Sequence, residues 1–294
     1  MNQNINLNGL ITKTTPFIEI LKLKSSTVNI AIIITTCSII GQIDFRACLL
    51  LSWIVGVHSG GDVINDIYDR HIDKICKPNS PIASGRMSVG AAWIWMIILY
   101  FSSILIAALL LNDVCIIVSI LGIIIGGVLY SHPRFRFKDH PILSITSIAV
   151  CFGLEAIGVW SVYAPLTTDA LVVSFYVFIL LFSLAFFKDF KDVKGDVNSL
   201  PLMLGIRKAA IVVSVLTFLP IFPMLYLLFL YKTIAIALAI IAYIPIEISA
   251  IRILLNDPVT NGHKLKNIMF LMILVPSFVI FLTTFFFNFI FYLV

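Results

Sequence analysis

Nine runs of about 18 or more predominantly apolar residues follow one another along this chain, at roughly 26–43, 46–65, 89–111, 113–131, 142–163, 170–187, 209–230, 233–254 and 268–294. As α-helices, runs of that length match the hydrocarbon thickness of a bilayer, and lipid admits no open structure with unpaired backbone groups. They predict an all-α membrane protein, a bundle of nine transmembrane helices forming one domain over residues 1–294. With 60% hydrophobic and 12% charged residues, an ordinary soluble domain is excluded.

The basic residues give the expected orientation. With the N-terminus inside, every Lys and Arg except Arg46 and Lys232 falls on the cytoplasmic side, as the positive-inside rule requires. The net charge of +5 follows from this asymmetry, and no basic run is dense enough for nucleic acid. The first 25 residues are polar and mixed, without the apolar stretch of a removable signal peptide. The five cysteines show no metal-ligand spacing.

Two polar loops face the cytoplasm in this scheme, at about 66–88 and 188–208. Each opens with carboxylates: Asp66, Asp69 and Asp73 in the first, Asp189, Asp192 and Asp196 in the second. The offsets are the same in both, and they place the carboxylates of each set on one helix face. An aspartate at the bilayer centre costs about 2.5–3.5 kcal/mol. Six of them would cost on the order of 15–20 kcal/mol, more than the net stability of a typical fold. They must therefore sit at a hydrated mouth or be neutralised. Mg²⁺ bridging to a diphosphate is the economical candidate, because it takes one or two carboxylates together with phosphate oxygens. The two loops follow helices two and six, so the halves share an orientation: a parallel pseudo-repeat of two four-helix units plus one.

The string Asn65-Asp66-x-x-Asp69-x-x-x-Asp73, then Lys77-Pro78-Asn79-x-Pro81-Ile82-x-Ser84-Gly85, then Lys188-Asp189-x-x-Asp192-x-x-Gly195-Asp196, resembles the UbiA-type intramembrane prenyltransferase superfamily. The resemblance covers nearly the whole chain. It implies that Asn65, Asp66, Asp69 and Asp73, with Asp189, Asp192 and Asp196, organise Mg²⁺ and the diphosphate of a polyprenyl substrate. It also implies that Tyr130, in Tyr130-Ser131-x-Pro133, with Arg134, Arg136 and Lys138, contacts the diphosphate or the acceptor, and that Lys24 and Lys188 contact phosphate. The chain departs from the pattern at Ser80, where relatives often carry arginine, and at Asp62, where they often carry asparagine.

The activity implied is Mg²⁺-dependent transfer of a prenyl group to a lipophilic acceptor within the membrane. That acceptor is either a quinone-type aromatic ring or a hydroxyl of the geranylgeranylglyceryl phosphate type. A terpene cyclase on the same scaffold, or a cation transporter with acid-lined faces, are the alternative readings. Glu155 and Glu247 are intramembrane acids and so candidate functional groups. His58 stands one turn before Asp62, within reach of a hydrogen bond to it. Pro245 predicts a kink beside Glu247.

Overall fold

The computed structural model describes residues 14–23, 25–193 and 198–293, without the side chains of Asp192 and residues 287–293. The expected phosphate contact Lys24 and the expected metal ligand Asp196 therefore lie outside the described residues, as does the Asp192 side chain.

Among the described residues the protein is helical and contains no strand. Helix α1 covers residues 14–19. It is followed by α2 (Ser26–Ile40), α3 (Arg46–Tyr68), α4 (Arg70–Cys76), α5 (Val89–Leu109) and α6 (Asp113–Gly122), which runs on into a π-helical stretch at Ile123–Leu129. The second half comprises α7 (Pro141–Tyr163), α8 (Thr168–Leu184), α9 (Phe187–Asp192), α10 (Leu200–Leu204), α11 (Ile206–Leu216), α12 (Ile221–Tyr231), α13 (Ile234–Asn256) and α14 (Gly262–Leu293).

Seven helices or near-continuous helix pairs are long and apolar enough to cross a membrane. The other two expected spans are shorter, at Ser26–Ile40 and Asp113–Leu129. Local chemistry sets the ends. Gly41 takes φ +79° after α2, and the backbone N–H groups there reach the Cys37 and Ser38 carbonyls, closing the helix short of the apolar run's end. Ser88 and Asn112 cap α5 and α6 by accepting hydrogen bonds from Ala91 N (3.1 Å) and Cys115 N (3.0 Å). Pro141 begins α7, where its missing N–H costs nothing.

Helices adjacent in sequence pack against one another, α3 on α5, α7 on α8 and α13 on α14, and α14 returns to lie along α2. The bundle thereby closes on itself. Three apolar clusters fill it: a large one through α7, α8, α11, α13 and α14, a second around Trp53 and Cys37, and a third under the first polar loop around Val63 and Ile67. Large apolar side chains such as Ile94, Phe101, Phe222 and Phe229 stay exposed, which suits a surface in contact with lipid.

Candidate active site

The site starts where α3 leaves the bundle. Its helical hydrogen bonding runs past the break at Asp69 (φ −88°, ψ 2°), with Asp69 N on Asn65 O at 2.9 Å, Asp73 N on Asp69 O at 2.8 Å and Lys77 N on Asp73 O at 2.7 Å. Asn65, Asp69 and Asp73, four residues apart, thus share one face, whereas Asp66, expected on the face of Asp69 and Asp73, turns with Asp62 to Lys22. The carboxylates of Asp66, Asp69 and Asp73 do not converge on each other, because each is turned to a different lysine.

Lys138 Nζ donates to Asp69 Oδ2 at 2.5 Å and to Asn65 Oδ1 at 3.1 Å. Lys77 Nζ stands 3.3 Å from Asp73 Oδ1. Lys22 Nζ reaches Asp66 Oδ1 at 2.9 Å and Asp62 Oδ1 at 3.3 Å. Burial works against the Lys22 ammonium, yet Asp62 and Asp66 outweigh it and hold its pKa above the ordinary lysine range. The residues before it are also pinned to the first loop. Arg86 forks onto both Glu19 oxygens at 2.6 and 2.9 Å, and these bonds keep the Glu19 carboxyl below its usual pKa. Within that loop Gly85 turns the chain at φ +76°, a left-handed conformation that glycine adopts without strain.

The basic loop contributes unevenly. Arg136 sits at φ +42° and pairs with Asp139 at 2.6 Å, with a second nitrogen 3.9 Å from Asp69 Oδ1. Arg134 is exposed, and its backbone N–H goes to His132 Nδ1. The structure therefore brings Lys138 and Arg136 to Asp69 and does not bring the Arg134 side chain to the carboxylates.

Lys138 also faces inward. A cavity of about 170 Å³ is lined by Tyr130, Lys138, Ser144, Lys188, Asp189 and Asn198, among others. The lysine that holds Asn65 and Asp69 thus shares a cavity wall with the first carboxylate of the second set. Tyr130 Oη lies 3.3 Å from Ser144 Oγ at its edge. Asp189 is 6% exposed, and Leu200 N approaches its Oδ2 at 3.5 Å. Gly262 at the start of α14 explains how α9 is seated, since a Cβ there would stand 2.5 Å from Lys191 Cα. A larger cavity of about 350 Å³ lies at the other end of the bundle, by Ser38, Thr233 and Thr284, and has no carboxylate in its walls. The lysines and the carboxylate line the smaller one.

Among the described residues no three His, Cys, Asp or Glu side chains form a ready metal cluster. Asp69 Oδ1 and Asp73 Oδ2 are nevertheless buried without a hydrogen-bond partner, each on a carboxylate whose other oxygen faces a lysine, and such an oxygen is open to a cation. These residues fit a hard, oxygen-seeking ion. Of the other candidates, His58 packs edge-on against Phe152 at 4.7 Å, and Asp62 bonds Lys22. Glu155 and Glu247 are both buried in the bundle and are not among the residues lining the cavity. Sequence reasoning missed Lys22, Ser144 and Asn198. Lys22 lies two residues before Lys24, whose expected phosphate contact falls outside the described residues.

Fold and site together define a polytopic membrane protein whose polar chemistry is gathered at one end of a helical bundle. The chain belongs to the UbiA prenyltransferase family, whose sequence model matches residues 31–274, and it is a prenyltransferase by that membership. It is 27% identical over 266 residues to a digeranylgeranylglyceryl phosphate synthase of Methanosphaera stadtmanae, an alignment covering 86% of this chain and 93% of the relative. A solved digeranylgeranylglyceryl phosphate synthase structure superposes with a TM-score of 0.70 at 23% identity, covering 92% of this chain and 99% of that one. A UbiA homologue from Archaeoglobus fulgidus, solved with GPP and Mg²⁺, gives a TM-score of 0.62 at 19% identity over 90% of this chain and 99% of its own. The structural likenesses establish the shared fold.

Proposed function

We infer that this prenyltransferase moves a prenyl group from a polyprenyl diphosphate to a lipophilic acceptor within the membrane, in a Mg²⁺-dependent reaction. The observation that carries this reading is Lys138, which ties Asn65 and Asp69 to the cavity that Asp189 and Lys188 also line. Near-full-length similarity to a digeranylgeranylglyceryl phosphate synthase favours a hydroxyl acceptor of the geranylgeranylglyceryl phosphate type.

In this reading Asn65, Asp69 and Asp73 from one side, with Asp189, Asp192 and Asp196 from the other, hold the metal. Bound Mg²⁺ supplies positive charge to the departing diphosphate. Lys138, Lys188 and Tyr130 point donors at phosphate oxygens and fix the direction in which the leaving group departs. The allylic carbon–oxygen bond breaks with its electron pair going to the diphosphate. The acceptor oxygen then bonds the carbon and loses its proton. The bundle interior holds the hydrocarbon tail and keeps water from the cation.

The chain crosses the membrane nine times in this reading, with the shorter helices at Ser26–Ile40 and Asp113–Leu129 completing two four-helix units plus one. The N-terminus and both polar loops are cytoplasmic, supported by the Lys and Arg asymmetry. Cys76, exposed in the first loop, tests this: in intact cells of a Cys48→Ser variant, an impermeant maleimide leaves it unlabelled until detergent is added. Labelling without detergent reverses the orientation.

The function itself is tested with purified protein, a prenyl diphosphate and geranylgeranylglyceryl phosphate. The expected result is coupled product and diphosphate release, abolished by EDTA and restored by Mg²⁺. Turnover unaffected by EDTA contradicts the reading. A cyclic hydrocarbon formed without acceptor assigns cyclisation instead, and ion flux without diphosphate release assigns transport.

A further inference from the structure

We propose that Lys22 is a positioning residue, the fixed counter-cation of Asp66 and Asp62, and that it keeps Asp66 out of the metal-binding set and leaves that task in the first motif to Asn65, Asp69 and Asp73. The proposal rests on the metal-dependent reading above and divides the first motif between two jobs.

The ammonium lies between two carboxylates one helical turn apart, 2.9 Å from Asp66 and 3.3 Å from Asp62. Asp66 is only 5% exposed, so water cannot solvate its charge, and a buried carboxylate needs a cation in contact. Asp69 and Asp73 each keep one buried oxygen without a partner, whereas Asp66 leaves none of that kind among the described residues. Asp66 thus turns Oδ1 to Lys22, while Asp69 and Asp73, though paired with Lys138 and Lys77 through one oxygen, each keep a second, buried oxygen that no hydrogen bond satisfies.

Lys22 cannot easily swing away. Its backbone is at φ +49°, a left-handed conformation that a non-glycine residue keeps only when its surroundings enforce it. The enforcing contacts surround it. Ser59 Oγ donates to Leu21 O at 3.0 Å, Ile20 is 1% exposed, and Phe17 meets the Trp95 ring edge-on at 5.5 Å. Glu19 is held by Arg86. Residues 14–22 therefore form a strap across the cytoplasmic end of α3, with Lys22 as its buckle. Asp62 gives the device its second anchor, at the position where the sequence departs from the asparagine common in relatives.

Two measurements test the proposal. The first needs neither metal nor substrate: in EDTA, proteinase K cleaves the Lys22→Met protein faster than wild type within residues 14–25, and an unchanged rate overturns the strap. The second is steady-state kinetics on Lys22→Met and on the double variant Lys22→Met/Asp66→Asn. The single change is expected to lower kcat about tenfold, the size of a typical contact coupling, with KM for the prenyl diphosphate nearly unchanged. The Mg²⁺ concentration for half-maximal rate should fall as the released Asp66 captures metal. The double variant should recover most of the lost kcat. A raised KM with unchanged kcat assigns Lys22 to the diphosphate instead and overturns the proposal. A double variant slower than the single one makes Asp66 a metal ligand and does the same. Wild-type protein with no Mg²⁺-dependent release would defeat the functional reading alone, because the protease result stands apart from it.

Discussion

Asp69→Asn is expected to slow diphosphate release by about 10²–10³-fold while leaving the fold intact, the loss typical when one preorganised charge is removed from an active site. The substitution keeps the size of the side chain and an oxygen for Lys138, which now bonds Asp69 Oδ2 at 2.5 Å. It removes the negative charge and the acceptor capacity of Asp69 Oδ1, an oxygen buried with no hydrogen-bond partner. A thermal melt near wild type beside a collapsed rate separates chemistry from folding. A rate within a few-fold of wild type would show that Asp69 carries no metal and would remove the first motif from the mechanism.

The sequence made some of this site legible and hid the rest, for physical reasons. Asp69 and Asp73 share a face because helical spacing is local, and that spacing can be read even though α3 and α4 are formally separate at Asp69, while Asp66, read onto the same face, turns to Lys22 instead. Lys138 and Tyr130 were reached through motif order, and both line the cavity. Neighbouring Arg134 was not distinguishable from them in sequence. The left-handed turn at Arg136 lies between Arg134 and Lys138, and such a turn depends on the packing around it.

The Lys22–Asp62–Asp66 cluster joins residues some 40 positions apart, and no local pattern marks which lysine will reach which acid. The seating of α9 against Gly262 is tertiary in the same sense. For the fold, apolar runs located every main helix. Their lengths overstated α2, which Gly41 ends, and could not show that α6 passes into a π-helical stretch at Ile123. Extra turns of that kind cost little in sequence signal, because the apolar composition is the same in either helix.

Lys138→Met separates what this lysine does for stability from what it does for chemistry. Its side chain is 10% exposed, and it is the closest cation to Asp69, since Arg136 stands 3.9 Å away, beyond hydrogen-bonding distance. Truncating the charge leaves the half-buried Asp69 beside a methyl group with only the more distant Arg136 as counter-ion, at a cost of about 1–3 kcal/mol. It also removes a donor from the cavity wall, so diphosphate release should fall about 10²-fold. The double variant Lys138→Met/Asp69→Asn distinguishes the two effects. With no carboxylate left unpaired, most of the lost thermal stability should return, while activity stays at or below that of either single variant. Should activity return with stability, Lys138 acts only as a structural counter-ion, and the donor facing the leaving group must be sought at Lys188 and Tyr130 on the same wall.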